Sequence, residues 1–395
     1  MKVKWYSVLE LLVGVILGFA DPITDILTLV EFYRADHKTW FGVGLAFVIL
    51  PCLFFLVVYC IYGGDEFAHY TRARKCVQTL LCGFHPFSAA LRRLEGFLFY
   101  LKQFIRGDGI DSVAKAEDDI DSHERTVAED NIQMNILFHV FFESVLEAAP
   151  QFVIQLYAVN FQEEPVTVVQ IISLPISFLS LAYAFTTVDA KMDEYVGNGN
   201  ARKVKYKIVL FVTQVLLLSS RLFAICYFTV SYKWWVLGVL FLHIFVLAIT
   251  DIVCVCQRDN YNFTVPFLLI FFFWLNGLRD DISELIQKFI SDADRKKELR
   301  RMQLFSNVLF ALENLVMILL YYFSQHSNNW YSLPVTVCVC VLSVLAAVTR
   351  VTLFRFLRKD HSLEDEVVID SQLNNNNNNN KSSPTEEFRQ WISTV

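Results

Sequence analysis

Apolar residues fill most of this chain in long segments separated by short polar stretches, near 6–33, 41–62, 133–158, 166–188, 206–230, 232–253, 262–278, 303–324 and 332–355. A helix needs roughly 20 such residues to cross hydrocarbon, and all the segments but one reach that length. The exception is 262–278, which offers about 15 apolar residues where about 20 are needed and carries Pro266 and the breaker Asn276-Gly277. The pattern predicts eight spanning helices and a re-entrant hairpin at 262–278.

The distribution of Lys and Arg requires the same count. With the N-terminus inside, they number nine in 63–130, five in 188–207, one in 257–263 and seven in 279–302, against two in 34–40, none in 159–165, one in 231–233 and none in 325–331. Basic loops stay cytoplasmic, so 262–278 enters and leaves on one side and both termini are cytoplasmic. Asn262-Phe-Thr264 and Asn380-Lys-Ser382 fit the glycosylation pattern, but that topology puts both inside, and neither is expected to carry glycan. Met1-Lys-Val-Lys before an apolar run imitates a signal peptide. Glu10 interrupts the run, however, and the apolar pattern continues past Asp21 through Ile23, Ile26, Leu27 and Leu29, as an uncleaved helix requires.

In 76–106, Leu80, Phe84, Leu91, Phe97 and Leu101 alternate with Arg92, Arg93, Glu95 and Lys102, which predicts an interfacial or half-inserted helix. Residues 107–130 hold nine acids against Lys115 and Arg125 and read as a solvated linker. The chain thus divides into a first helix pair (1–62), a cytoplasmic linker with the half-inserted helix (63–130), six spanning helices with the hairpin (131–355) and a tail (356–395). The tail carries seven asparagines, Asn374 to Asn380, and is expected to be disordered.

One segment carries polar groups at strict four-residue steps: Asn135, His139, Glu143, Glu147, Gln151 and Gln155. At 1.5 Å per residue they form a ladder about 30 Å tall, the height of the hydrocarbon, drifting roughly 40° per step. Pro150 is expected to kink it. In the first helix Gly14, Gly18, Asp21, Asp25 and Thr28 make one small-and-polar face, and Asp21 precedes Pro22, where local unwinding would help satisfy the backbone. Arg221 lies mid-helix seven residues after Gln214, Glu313 stands beside Asn314, and His243 is embedded in 232–253. Such groups mark pathways or pair as internal bridges that hold the bundle together. Five embedded acids, Asp21, Asp25, Glu143, Glu147 and Glu313, face one permanent cation, Arg221, so full pairing is disfavoured. Some acids must be protonated, hydrated or close to a passing cationic group.

Composition agrees with a membrane protein: 55% hydrophobic and 19% charged residues exclude an ordinary soluble fold. Nine cysteines, at Cys52, Cys60, Cys76, Cys82, Cys226, Cys254, Cys256, Cys338 and Cys340, form no CxxC pair and read as small buried hydrophobes, which supports neither a disulfide framework nor a zinc site. His139, Glu143 and Glu147 lack the HExxH arrangement of a metalloenzyme, so no metal or other cofactor is called for. With no GxxxxGK[ST] loop and no Gly-Lys dipeptide, ATP bound by a P-loop is not indicated either. Basic residues belong to membrane-flanking loops, which leaves nucleic-acid binding unsupported.

Phe142-Glu-Ser-Val-Leu-Glu-Ala-Ala-Pro-Gln-Phe-Val-Ile-Gln-Leu-Tyr157 resembles the Glu-x3-Glu-x2-Pro-Gln-Leu-x2-Gln-Leu segment of the XK-related membrane proteins. Asp21 and Asp25, the Ser220-Arg221 pair and the aromatic stretch Phe271-Phe-Phe-Trp-Leu-Asn276 agree with it, in order over residues 5–355. The resemblance implies an all-α polytopic bundle of about eight spanning helices with two half-inserted elements at the plasma membrane. It also implies phospholipid scrambling that exposes phosphatidylserine on dying cells. Asp21, Asp25, His139, Glu143, Glu147, Gln151, Gln155, Arg221 and Glu313 are the candidates for the lipid path. No bond is made or broken, so the protein is not expected to be an enzyme. Other members are partners of other membrane proteins, so a scaffold subunit, beside a single-span partner or in a homo-oligomer, stays open, as does a solute or ion pathway. Some members are activated by caspase cleavage near a terminus. Asp111 and Asp121 close DxxD tetrads in the linker, and Asp370 ends the looser Val367-Val-Ile-Asp370 in the tail; Asp370 is the expected site because its cut would release the tail and leave the bundle whole.

Overall fold

The computed structural model describes residues 5–66, 86–107, 132–133, 136–196, 201, 203–255, 293–325 and 330–353. These form helices α1 (Trp5–Arg34), α2 (Lys38–Glu66), α3 (Ser88–Gly107), α4 (Ile136–Phe161), α5 (Val168–Val196), α6 (Val204–Tyr232), α7 (Trp235–Val255), α8 (Ala293–Gln325) and α9 (Ser332–Thr352). The described residues contain no strand. Seven helices are long and apolar enough to cross a membrane, and α7 is continuous to Val255 with a shorter described apolar part, Trp235–Val246. The protein is a polytopic membrane helix bundle. Leu237, Phe241, Leu242 and Phe245 on α7 and Val337, Val341, Val344 and Val348 on α9 are exposed, which suits surfaces wetted by lipid and not by water.

The chain forms two compact units, Met1–Val188 and Asp189–Val395, dividing inside α5. In the first, α1 packs on α2 and α3, and α2 packs on α4. Leu29 and Phe32 of α1, Val48 of α2 and Ala158 of α4 make a shared apolar cluster, walled by Trp40, Phe41 and Ile154. His37, in the α1–α2 turn, meets Glu164, in the α4–α5 loop, at 3.2 Å, so the two loops lie at one end of the unit. Hydrogen bonds from the Glu164 backbone N–H and from His37 hold the Glu164 carboxyl below the usual carboxylate range. Of the seven spanning helices α4 is the most enclosed, with 72% of its apolar stretch buried against 56% for α6, the next.

Helix α3 lies against α1, with Ala89, Ala90, Arg92 and Arg93 buried near its start and Leu98 and Ile105 exposed further along. Small residues permit this approach, since a Cβ on Gly18 would come 2.6 Å from an Arg93 Nη1 and 3.4 Å from the Ala90 Cα. The rest of the predicted segment, 76–85, lies outside the described residues, as do the hairpin 262–278, the acidic linker 108–130 and the tail. The glycosylation sequons and the tetrads ending at Asp111, Asp121 and Asp370 lie there too.

In the second unit α6, α8 and α9 pack together, and Leu217, Phe310 and Ala346 supply one core residue from each. Arg221 meets Glu313, Tyr232 reaches the Leu320 carbonyl, and Ser231 and Ser324 are 2.7 Å apart at the ends of their helices. These pairs advance together along both helices, so α6 and α8 run parallel. Helix α7 begins directly after α6, and its His243 lies level with Arg221 at Glu313, so α7 runs back antiparallel to both.

Candidate functional site

The ladder runs along α4, and Pro150 sets its local form. Lacking an N–H, Pro150 cannot continue the α-helical hydrogen bonds. Just before it the chain makes one π turn, Ser144–Ala148, closed by the Ala149 N–H on the Ser144 carbonyl. A π turn holds one more residue than an α turn, which swings the side chains beyond it around the axis. Four-residue spacing in the sequence therefore does not give a uniform stripe.

Each described rung meets different company. The His139 ring stacks on Phe55 at 4.4 Å with 14° between planes. Glu143 accepts the backbone N–H of Ala89 at 3.1 Å, capping the start of α3. Glu147 is 3% exposed, and neither of its carboxylate oxygens has a hydrogen-bond partner among the described residues. Gln151 donates to the Gly44 carbonyl at 2.6 Å while its own Oε1 accepts nothing. Gln155 donates to Asp25 Oδ1 at 2.8 Å and accepts from Ser173 at 2.9 Å; Ser177 donates to the same Asp25 oxygen at 3.0 Å. Asn135, the first rung, lies outside the described residues.

The α1 face forms as predicted. Asp21, Asp25 and Thr28 are buried, Arg93 donates to the Gly14 carbonyl at 3.2 Å, and Tyr183 donates to the Glu10 carbonyl at 2.5 Å. Unwinding at Pro22 does not occur, and α1 runs through it as a continuous helix. Asp21 Oδ1 and Asp25 Oδ2 are buried without a donor. Asp21, Asp25, Glu143 and Glu147 lie close enough to act on one another electrostatically, and Arg93 acts on Asp21 and Glu143.

Arg221 and Glu313 form a further group of contacts. They belong to the second unit, where Arg221 Nη1 donates to Glu313 at 3.1 Å and to Asn314 at 3.0 Å, His243 Nδ1 meets Glu313 at 2.8 Å, and Asn314 donates to Ser220 at 3.3 Å. The Arg221 guanidinium also sits 4.5 Å from the Phe310 ring centroid. Opposite charges, planar donors and an aromatic face satisfy one another here, so this is a tied cluster while the ladder retains open acceptors. Gln214 donates to Asp189, not toward Arg221, and Tyr206 donates to Asp193.

Several buried groups are not singled out by the sequence. Arg92 and Arg93 escape because their helix reads as interfacial; with Arg93 present, Arg221 is no longer the lone cation among the embedded acids. Ser173, Ser177 and Ser180 recur at steps of four and three, and Asp189 and Asp193 at four, a helical periodicity that would have exposed them. Cysteines vary more than expected: Cys226 is buried, while Cys338 is exposed on α9. His139, Glu143 and Glu147 do not converge as ligands, and the described residues contain no group of three side chains able to hold a metal ion.

The XK-related protein family model matches residues 9–359. A search of curated proteins returns no match.

Proposed function

We propose that this chain, which belongs to the XK-related family, is a phospholipid scramblase whose ladder in the first unit carries lipid headgroups between leaflets while the acyl tails stay in hydrocarbon. The observation that carries the reading is Glu147, a carboxylate 3% exposed at the middle of the most enclosed helix with no donor on either oxygen among the described residues. A buried ionisable group is costly, and one that takes no part in holding the fold together needs another reason to be there. A headgroup shedding water needs replacement partners at intervals, and the rungs supply carboxylates, amides and an imidazole at such intervals. Movement of this kind is downhill and makes no covalent bond, which suits a sequence without a phosphate-binding loop and a protein that is not an enzyme. We place it in the plasma membrane with both termini cytoplasmic, where it would expose phosphatidylserine, in apoptosis once a caspase has cut the tail.

The test is lipid movement in vesicles containing the purified protein and no nucleotide. Inner-leaflet fluorescent phospholipid becoming accessible to an external quencher supports the reading. Solute flux without lipid flux would assign the ladder to a transporter instead, and flux of neither, from folded protein, would leave a scaffold subunit beside a single-span partner or in a homo-oligomer.

A further inference from the structure

Five buried oxygens on the facing sides of α1 and α4 accept from no protein donor among the described residues: Asp21 Oδ1, Asp25 Oδ2, Glu147 Oε1, Glu147 Oε2 and Gln151 Oε1. Four belong to carboxylates that act on one another electrostatically, and the fifth to an amide whose nitrogen is fixed by the Gly44 carbonyl at 2.6 Å. That hydrogen bond orients the amide and leaves its oxygen as the open end. What complements such a set is positively charged and rich in N–H donors, and on a headgroup route the group that offers both is an organic ammonium.

We propose that this stretch of the ladder selects a primary ammonium, the terminal group of phosphatidylethanolamine and phosphatidylserine, over a trimethylammonium of equal charge. The inference rests on the ladder being a headgroup route and goes further by naming what it recognises. A primary ammonium brings three N–H donors to the open oxygens, whereas a trimethylammonium brings the same charge with none and leaves the oxygens desolvated and unpaired. Charge alone would not separate the two; the number of donors does. Asp25 illustrates the division, because its Oδ1 is already filled by Gln155 and Ser177 while its Oδ2 stays open.

The experiment compares acyl-labelled phosphatidylethanolamine, its N-methyl and N,N-dimethyl derivatives and phosphatidylcholine in vesicles containing the wild-type protein, so that N–H donors are removed one at a time at constant charge. Flux should fall along the series, by roughly tenfold from first to last, the size of one charge-assisted hydrogen bond. Glu147→Gln should flatten the series. Equal flux of all four lipids, or a preference unchanged in a folded Glu147→Gln protein, overturns ammonium selection and leaves scrambling standing. If no lipid moves, scrambling fails, and thermal stability in nanodiscs decides the ammonium site separately. Stabilisation of wild type by phosphatidylethanolamine over phosphatidylcholine that Glu147→Gln loses retains the site; no difference removes it. The methylation series on wild type needs no variant to fold.

Discussion

Gln155 donates its amide to the carboxylate of Asp25 at 2.8 Å across 130 residues of sequence, and Ser177 donates to the same oxygen. Three helices, α1, α4 and α5, thus meet at Asp25 Oδ1. This rung is fastened by the protein itself, whereas four residues before Gln151 the Glu147 carboxylate meets no donor. Some polar groups in the ladder hold the helices together, and others are left open.

Asp25 should therefore behave as a structural acceptor as well as a path residue. Asp25→Asn keeps a carbonyl oxygen for both donors and should retain most of the melting temperature in detergent. Asp25→Leu strands the Gln155 amide and the Ser177 hydroxyl, at about 1–3 kcal/mol for each unsatisfied buried group. Equal melting temperatures for the two variants would contradict the arrangement.

Arg221 is held by Glu313, Asn314 and the Phe310 ring, and its removal leaves the half-buried Glu313 with only His243. Arg221→Leu should cost about 3–5 kcal/mol and reduce the yield of folded protein. Adding Glu313→Leu should recover part of the loss, since the unpaired charge goes with it. Full stability of the single variant, or no recovery in the double, would show that the cluster is not tied as described.

The glycines of α1 and α2 separate close packing from open surface. Gly18→Ala places a methyl 2.6 Å from the Arg93 guanidinium and pushes on the α1–α3 contact, at an expected cost of about 1–3 kcal/mol. Gly42 has nothing within 4 Å of the corresponding point, and Gly42→Ala should gain up to about 1 kcal/mol from helix propensity alone. Thermal denaturation of the two proteins measures the contrast; the same change in both would mean that α3 does not seat on Gly18.

Helical class, membrane class and family were legible in the sequence because apolar length and the Glu143–Gln155 pattern each carry a direct physical signal. The burial of Asp21, Asp25 and the rungs from His139 to Gln155 was legible for the same reason. Their partners were not. Gly44, Ser173 and Ala89 reach the ladder through tertiary packing, and no local period reports that packing. The π turn was hidden because a proline is compatible with a kink or with an inserted residue, and only the surrounding contacts choose. The burial of Arg92 and Arg93 was not legible, because an amphipathic segment with paired arginines looks the same whether it rests on lipid headgroups or on a glycine face.

Regulation by proteolysis is tested directly on the full chain. An effector caspase should cut after Asp370, giving a new N-terminus at Ser371, and lipid flux should rise after the cut. Cleavage only at Asp111 or Asp121, or cleavage at Asp370 with unchanged flux, would rule out tail release as the activating step.

The central claim is that the open rungs are the headgroup route, and Glu147→Leu tests it most directly when lipid flux and melting temperature are measured on the same vesicle preparation. Glu147 has no hydrogen bond among the described residues to lose, and replacing such a buried carboxylate with an apolar side chain of similar size should leave stability unchanged or raised. The account predicts flux reduced about tenfold or more, the size of one lost charge-assisted contact with the headgroup, in a protein that melts at or above the wild-type temperature. Wild-type flux from folded Glu147→Leu protein, or loss of folded protein on this substitution, would contradict it.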